Sequence, residues 1–190
     1  MKHTKIFTIA VLATSLLLPL SVQANGWQVL PVSKPGYKPD VAAAVIVGVM
    51  EANDDNVDVF APAGVEVSLN CPLLKAPKHT IRQQVSYTHS EKNGFKAQSF
   101  ELSPHHMFKT RTNKLTVGVG PTIGYTMVEN KQGDDGIFTF GIGASSRYDI
   151  TKQVFIGAQA RFVKAQEFEI AGKKTGFDNA KAVVKLGYQF

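Results

Sequence analysis

Ser103, Pro104, His105 and His106 form the one local cluster whose residue types could carry catalysis. A serine nucleophile needs a base within hydrogen-bond reach and a further group to orient that base. In a strand, Ser103 and His105 share one face and His106 takes the other, because successive side chains alternate. That alternation separates the two histidines and argues against a shared metal ion. Cys71 is the only cysteine, so no intrachain disulfide can form. No base stands near it in sequence, and it reads as a small apolar wall residue. Gly118, Gly120 and Gly141, Gly143 make G-x-G pairs, but no helix follows either pair, which removes nucleotide binding. The acidic stretches EANDDNVD and QGDDG lack the spacing and distal Glu of a calcium loop. No cofactor or metal site is expected.

The elements that must position these residues begin after a leader. Residues 1–24 (MKHTKIFTIAVLATSLLLPLSVQA) carry Lys2 and Lys5, then an apolar run, then Val22-Gln23-Ala24. That order is a secretory signal with cleavage after Ala24. The apolar run is short of the roughly 20 residues of a membrane helix. The formal charge is +6, and removing Lys2 and Lys5 leaves +4. Scattered lysines on solvated turns account for that balance, and nucleic acid is not an expected partner. Residues 25–40 hold Pro31, Pro35 and Pro39 and read as an N-terminal tail on the periplasmic side.

From residue 41 to residue 190 apolar side chains alternate, and Gly, Asn, Asp and Lys cluster between the runs. Eight runs are legible: 41–51, 57–71, 80–89, 95–108, 114–128, 137–148, 153–165 and 180–190. Most exceed the typical globular strand of about five or six residues and suit tilted membrane strands of roughly 9–11 residues. In the last, Ala182, Val184, Leu186, Tyr188 and Phe190 fall on one face, opposite Lys181, Val183, Lys185, Gly187 and Gln189. The fifth and sixth runs place glycines on the second face, as a narrow curved barrel requires. Residues 41–50 are apolar on both faces, and a helix there is an open alternative. Pro121 predicts a bulge or a missing ladder bond. The reading is an all-β, eight-stranded, antiparallel up-and-down transmembrane barrel.

Alternation then assigns Glu66, Arg82, Glu101, Arg147, Arg161, Lys181 and Lys185 to the lumen. Buried charges need partners, so Glu66 and Glu101 are expected to pair with Arg82, Arg147 or Arg161. An interior of eight strands holds side chains and no open pore. An even strand count puts both chain ends on one side, the periplasmic one. The connections after the odd runs hold most acids and face outward. Phe108, Tyr148, Tyr188 and Phe190 then make a periplasmic girdle, and Tyr87, Phe95, Tyr125, Phe138 and Phe162 an outer one.

The leader and the runs TVGVGPTIGY, FTFGIGASSRYDITKQVFIGAQARF and VVKLGYQF resemble the small eight-stranded outer-membrane proteins of the OmpA/OmpX kind, a porin-like barrel group. The resemblance covers residues 41–190. It implies a home in the cell outer membrane among lipid and lipopolysaccharide, and delivery by periplasmic chaperones. It also implies insertion by the barrel assembly machinery through a C-terminal signal, here Val184, Leu186, Tyr188 and Phe190. The expected function is structural or permeability-related and non-enzymatic. Two alternatives stay open. One is a lipid-modifying hydrolase using Ser103 and His105; the other is a soluble periplasmic barrel carrying a small apolar ligand.

Overall fold

The computed structural model describes residues 26–52, 59–112, 114–130, 133–165, 168–170, 173–175 and 178–190. The proposed leader lies outside these residues, as does most of the stretch EANDDNVD. Eight strands close into one antiparallel barrel in chain order: β1 (Ala42–Ala52), β2 (Ala63–Asn70), β3 (Thr80–Lys92), β4 (Phe95–Lys109), β5 (Leu115–Asn130), β6 (Gly133–Asp149), β7 (Val154–Ala165) and β8 (Asn179–Gln189). Closure is made by β8 on β1, with Asn179 opposite Ala52 and Gln189 opposite Ala42. Each strand thereby has a neighbour on both sides, which leaves no edge and satisfies backbone groups without water. The Phe190 amide donates to Val41 O at 3.0 Å, so the barrel begins and ends at one mouth.

The apolar run at 41–50 is strand and not helix. Its inward positions are Ala42, Ala44, Ile46 and Met50, and its outward ones include Val45, Val47 and Val49. It is apolar on both faces because its lumen side packs against other apolar groups. The second run starts later than its alternation predicts. Pro62 lies just before its regular part; Pro62 O still accepts from the Gly48 amide at 2.9 Å, and Phe60 exchanges bonds of 2.8 and 3.0 Å with Met50. The third and fourth runs extend until Lys92 faces Phe95 across an Asn93-Gly94 turn. Both turn residues have positive φ, 53° and 79°, the conformation a two-residue hairpin favours. The acidic connection ENKQGDDG is largely ribbon, with pairing running to Asn130 and Gly133. In the connection after β7, Phe168–Ile170 pairs with Lys173–Thr175 as a small hairpin.

Pro121 costs ladder bonds without shifting the register. Pairing of β4 and β5 stops after Leu102–Ile123 and resumes at His106–Val119 in the same frame. Continuing that frame through the gap sets Pro104 opposite Pro121. Neither residue has an N–H to donate, so the gap falls where both prolines lie.

The segment after Gly26 is tied down. Gln28–Val29 pairs with Leu74–Lys75 of the β2–β3 connection, and a 3-10 turn covers Pro31–Ser33. Tyr37 donates its hydroxyl to Asn70 O at 2.6 Å, and the Asn70 amide donates to Pro39 O at 2.6 Å. Burial, and then the nearby Cys71, raise the Tyr37 phenol above its usual range. Cys71 itself is buried in this connection, beyond the end of β2. Trp27 packs edge-on against His106, 6.4 Å between centroids, and His79 and Phe108 complete an aromatic cluster there.

Inside, large side chains lie over glycines. A Cβ on Gly187 would sit 2.2 Å from Cζ of Phe155. Gly187→Ala is therefore expected to cost about 1–3 kcal/mol through overpacking, read from the urea midpoint of the folded barrel. In a Phe155→Leu background the same change should cost less; equal costs would show that this contact does not govern the site.

Candidate functional site

Among the described residues, buried charge gathers in the lumen. Five strands contribute: β2 supplies Glu66, β3 Ser86, β4 Glu101, β7 Arg161, and β8 both Lys181 and Lys185, all of them buried. Each sits at an inward position fixed by alternation from its strand's apolar outer face. Lys185 Nζ donates to Glu66 Oε1 at 2.7 Å. Glu101 Oε2 accepts from both Arg161 Nη1 and Lys181 Nζ, and so ties β4 to β7 and β8 across the barrel. Arg161 also donates to Ser86 Oγ at 3.1 Å and to Gln159 Oε1 at 2.9 Å. Gln159 Nε2 then donates to Gln84 Oε1 at 2.9 Å.

This differs in its pairing from the expectation. Of the expected guanidinium partners only Arg161 reaches the glutamates; the other two cations in the network are lysines of β8. Arg82 and Arg147 stand at the mouth instead, with Asp40 and Asp149 at 3.5 and 2.7 Å. The core network is thus three cations against two anions. Glycines make it possible: a Cβ on Gly157 would meet Lys185 Cε at 3.0 Å, and one on Gly143 would meet Arg161 Cγ at 3.2 Å.

Ser103 and His105 do share the lumen face, each with no accessible surface. They are not partners. The Ser103 hydroxyl shares a 2.9 Å hydrogen bond with Thr122, and His105 Nδ1 lies 2.7 Å from Ser145 Oγ. Among the described residues His105 Nε2 has no hydrogen-bond partner, and none of their carboxylates orients the ring through that nitrogen. Alternation identified the face of Ser145 but not its nearness to His105, which depends on closure of the barrel.

Above the charged layer, Met50, Phe60, Ala97, Val128 and Ile137 form a buried apolar cluster, with Phe95 and Ala165 packed against it. Phe95 therefore turns inward onto Phe60, 5.5 Å between centroids, and is not in the outer girdle. Phe60 keeps the inward parity of Glu66 and Ser68 in the second run, so alternation gives its face but not its packing on Met50 and Phe95. Ala42, Ala44 and Phe155 form a second, smaller cluster toward the mouth.

The outer face is the reverse of the inner. Val45, Val65, Ile123, Phe138, Phe140, Ile142, Phe162, Val184 and Leu186 all stand exposed, Phe162 by 68%. Tyr87, Phe100, Tyr125 and Phe138 form one row across four adjacent strands, each directly opposite the next. Phe108, Tyr148, Tyr188 and Phe190 are exposed near the mouth.

Glu101→Gln removes the shared counter-ion of Arg161 and Lys181. It is expected to cost about 3–5 kcal/mol, the range for leaving a buried charge unpaired. Lys96→Gln, which breaks the exposed pair with Glu129 at 3.6 Å, is expected to cost less than about 1 kcal/mol. Urea unfolding of the two variants side by side checks the contrast.

No family model matches the sequence, and no characterised protein sequence does. Solved structures do. Neisserial surface protein A matches with TM-score 0.53 and 14% identity, over 79% of this chain and 96% of that one. The N-terminal β-barrel domain of Pseudomonas aeruginosa OprF matches at 0.50 and 15%, over 80% and 100%. Ail, the attachment invasion locus protein of Yersinia pestis, matches at 0.51 and 9%, over 81% and 100%. At such identities the likeness is one of architecture, and the architecture this chain shares with all three is the closed eight-stranded outer-membrane β-barrel.

Proposed function

We propose that this chain is a non-catalytic barrel of the outer membrane, with a closed lumen and a structural or permeability-limiting role. The observation that carries the reading is the layered filling of the lumen. An apolar cluster around Phe60 closes one end, and the Glu66, Glu101, Arg161, Lys181 and Lys185 network fills the middle. A solute crossing the barrel would have to displace both. The exposed apolar band supports a lipid surrounding, since an apolar surface of this extent is costly in water. It speaks against a soluble carrier, as does a lumen taken up by side chains. Burial of Ser103 and His105 speaks against the hydrolase, because no substrate carbonyl reaches a hydroxyl without accessible surface. On this reading the partners are membrane lipid and lipopolysaccharide along the band, and the assembly machinery and chaperones. The machinery would read Val184, Leu186, Tyr188 and Phe190, whose side chains line one exposed face of β8 and its end.

Planar-bilayer recordings of the refolded protein test the closed lumen. No steady single-channel openings are expected from the native chain. Large, sustained openings would overturn the reading.

A further inference from the structure

The mouth at which the barrel begins and ends encloses a cavity of about 500 Å³, within the range of roughly 300–1,000 Å³ seen for small-ligand sites. Its wall carries Lys78, Arg82, Lys109, Arg147 and Lys152, against Asp40 and Asp149. Both acids are already engaged, Asp149 Oδ1 by Arg147 Nε at 2.7 Å and Asp40 Oδ2 by Arg82 Nη1 at 3.5 Å. The three lysines are exposed around the two arginines.

The arginines converge on one neutral oxygen. Gln189 Oε1 accepts from Arg147 Nη1 at 2.9 Å and from Arg82 Nη2 at 3.3 Å. Gln189 is itself fixed, since its Nε2 donates to Val41 O at 2.7 Å and to Asp40 Oδ1 at 3.0 Å. Both guanidiniums are held in place. Arg82 Nε donates to Ser68 Oγ at 3.0 Å, and Arg147 lies 3.9 Å over the Phe155 ring. Each arginine has one carboxylate partner, so the surplus positive charge of the mouth comes from Lys78, Lys109 and Lys152, and the two planar guanidinium forks beside them suit phosphate or carboxylate. The charged layer deeper in the lumen adds no negative charge to offset it, holding three cations to two anions.

We propose that this mouth binds a small polyanion carrying two or more phosphate or carboxylate groups. One group would take the position of the Gln189 oxygen between Arg82 and Arg147, and the others would face the rim lysines. The proposal rests on the fold and the mouth geometry, and stands independently of whether the lumen conducts.

Isothermal titration of the refolded full chain in dodecyl maltoside micelles tests it, with pyrophosphate and citrate as separate probes. Saturable binding at one site is expected, weakening as salt is raised. Arg147→Gln should weaken it about tenfold or more, the scale of losing a charged hydrogen bond. Because Arg147→Gln could impair folding, a Lys109→Gln/Lys152→Gln double variant, altered only at the exposed rim, should also weaken binding while keeping the heat-dependent gel shift of a folded barrel. Binding of pyrophosphate alone would assign a phosphate ligand, and of citrate alone a carboxylate ligand; either supports the proposal. Absence of saturable binding for both probes, or unchanged affinity in the rim variant, would overturn it.

Discussion

Eight strands enclose an interior about as wide as the side chains that fill it, and every inward position is constrained by that width. A large residue is accepted on one strand only where its neighbour recedes. Phe155 lies against Gly187, Lys185 against Gly157, and Arg161 against Gly143. The glycines of β5 to β8 are thus the counterpart of the lumen's bulkiest groups. They also bring the ion pairs within bonding distance. Lys185 and Glu66 sit on strands separated by β1, and Arg161 and Glu101 on strands separated by two others. A wider barrel would leave those pairs to water.

The same width explains why the charge is tolerated. A buried cation without a partner is costly, and a buried pair is weak evidence of net stability even when well made. Here the pairs are embedded in further hydrogen bonds through Ser86, Gln159 and Gln84. Removing one member exposes the rest to an unmet demand. The network therefore acts as a constraint on which strands may lie opposite each other. A register slip of one residue would turn these charges outward into the apolar band, so the arrangement specifies the closure of the barrel as much as it stabilises it.

Much of this was legible in the sequence, for one physical reason. Strand alternation has a period of two, so the side on which Glu66, Glu101, Arg161, Lys181 and Lys185 lie follows from their neighbours. Which of them meet does not follow, because that depends on stagger and closure between strands distant in sequence. Hence Lys181 and Lys185, rather than Arg82 and Arg147, hold the glutamates. Phe95 lies at the outer end of its strand but shares the parity of the inward residues Ala97 and Ser99, and parity decides its direction. Phe60 has the inward parity of Glu66, but its meeting with Met50 and Phe95 depends on pairing across the barrel wall and not on its own run. The proline-rich segment before β1 gave no periodicity, since most of its hydrogen bonds to the end of β2 and the β2–β3 connection use backbone groups that carry no sequence signature.

The two ends of the lumen are chemically opposite, and this asymmetry follows from where the chain turns. At the far end the strands run on as ribbons, and their inward positions carry Ile137, Val128 and Ala97, which pack with Met50 around Phe60. At the mouth the strands stop, and the segment before β1 crosses to the β2–β3 connection. Asp40 comes from that crossing and Gln189 from the end of β8; together they position Arg82 and Arg147. Side chains from both ends of the barrel sequence are thus needed to build one charged cup. Closure of β8 on β1 is what brings them together, so the mouth is assembled only when the barrel is complete.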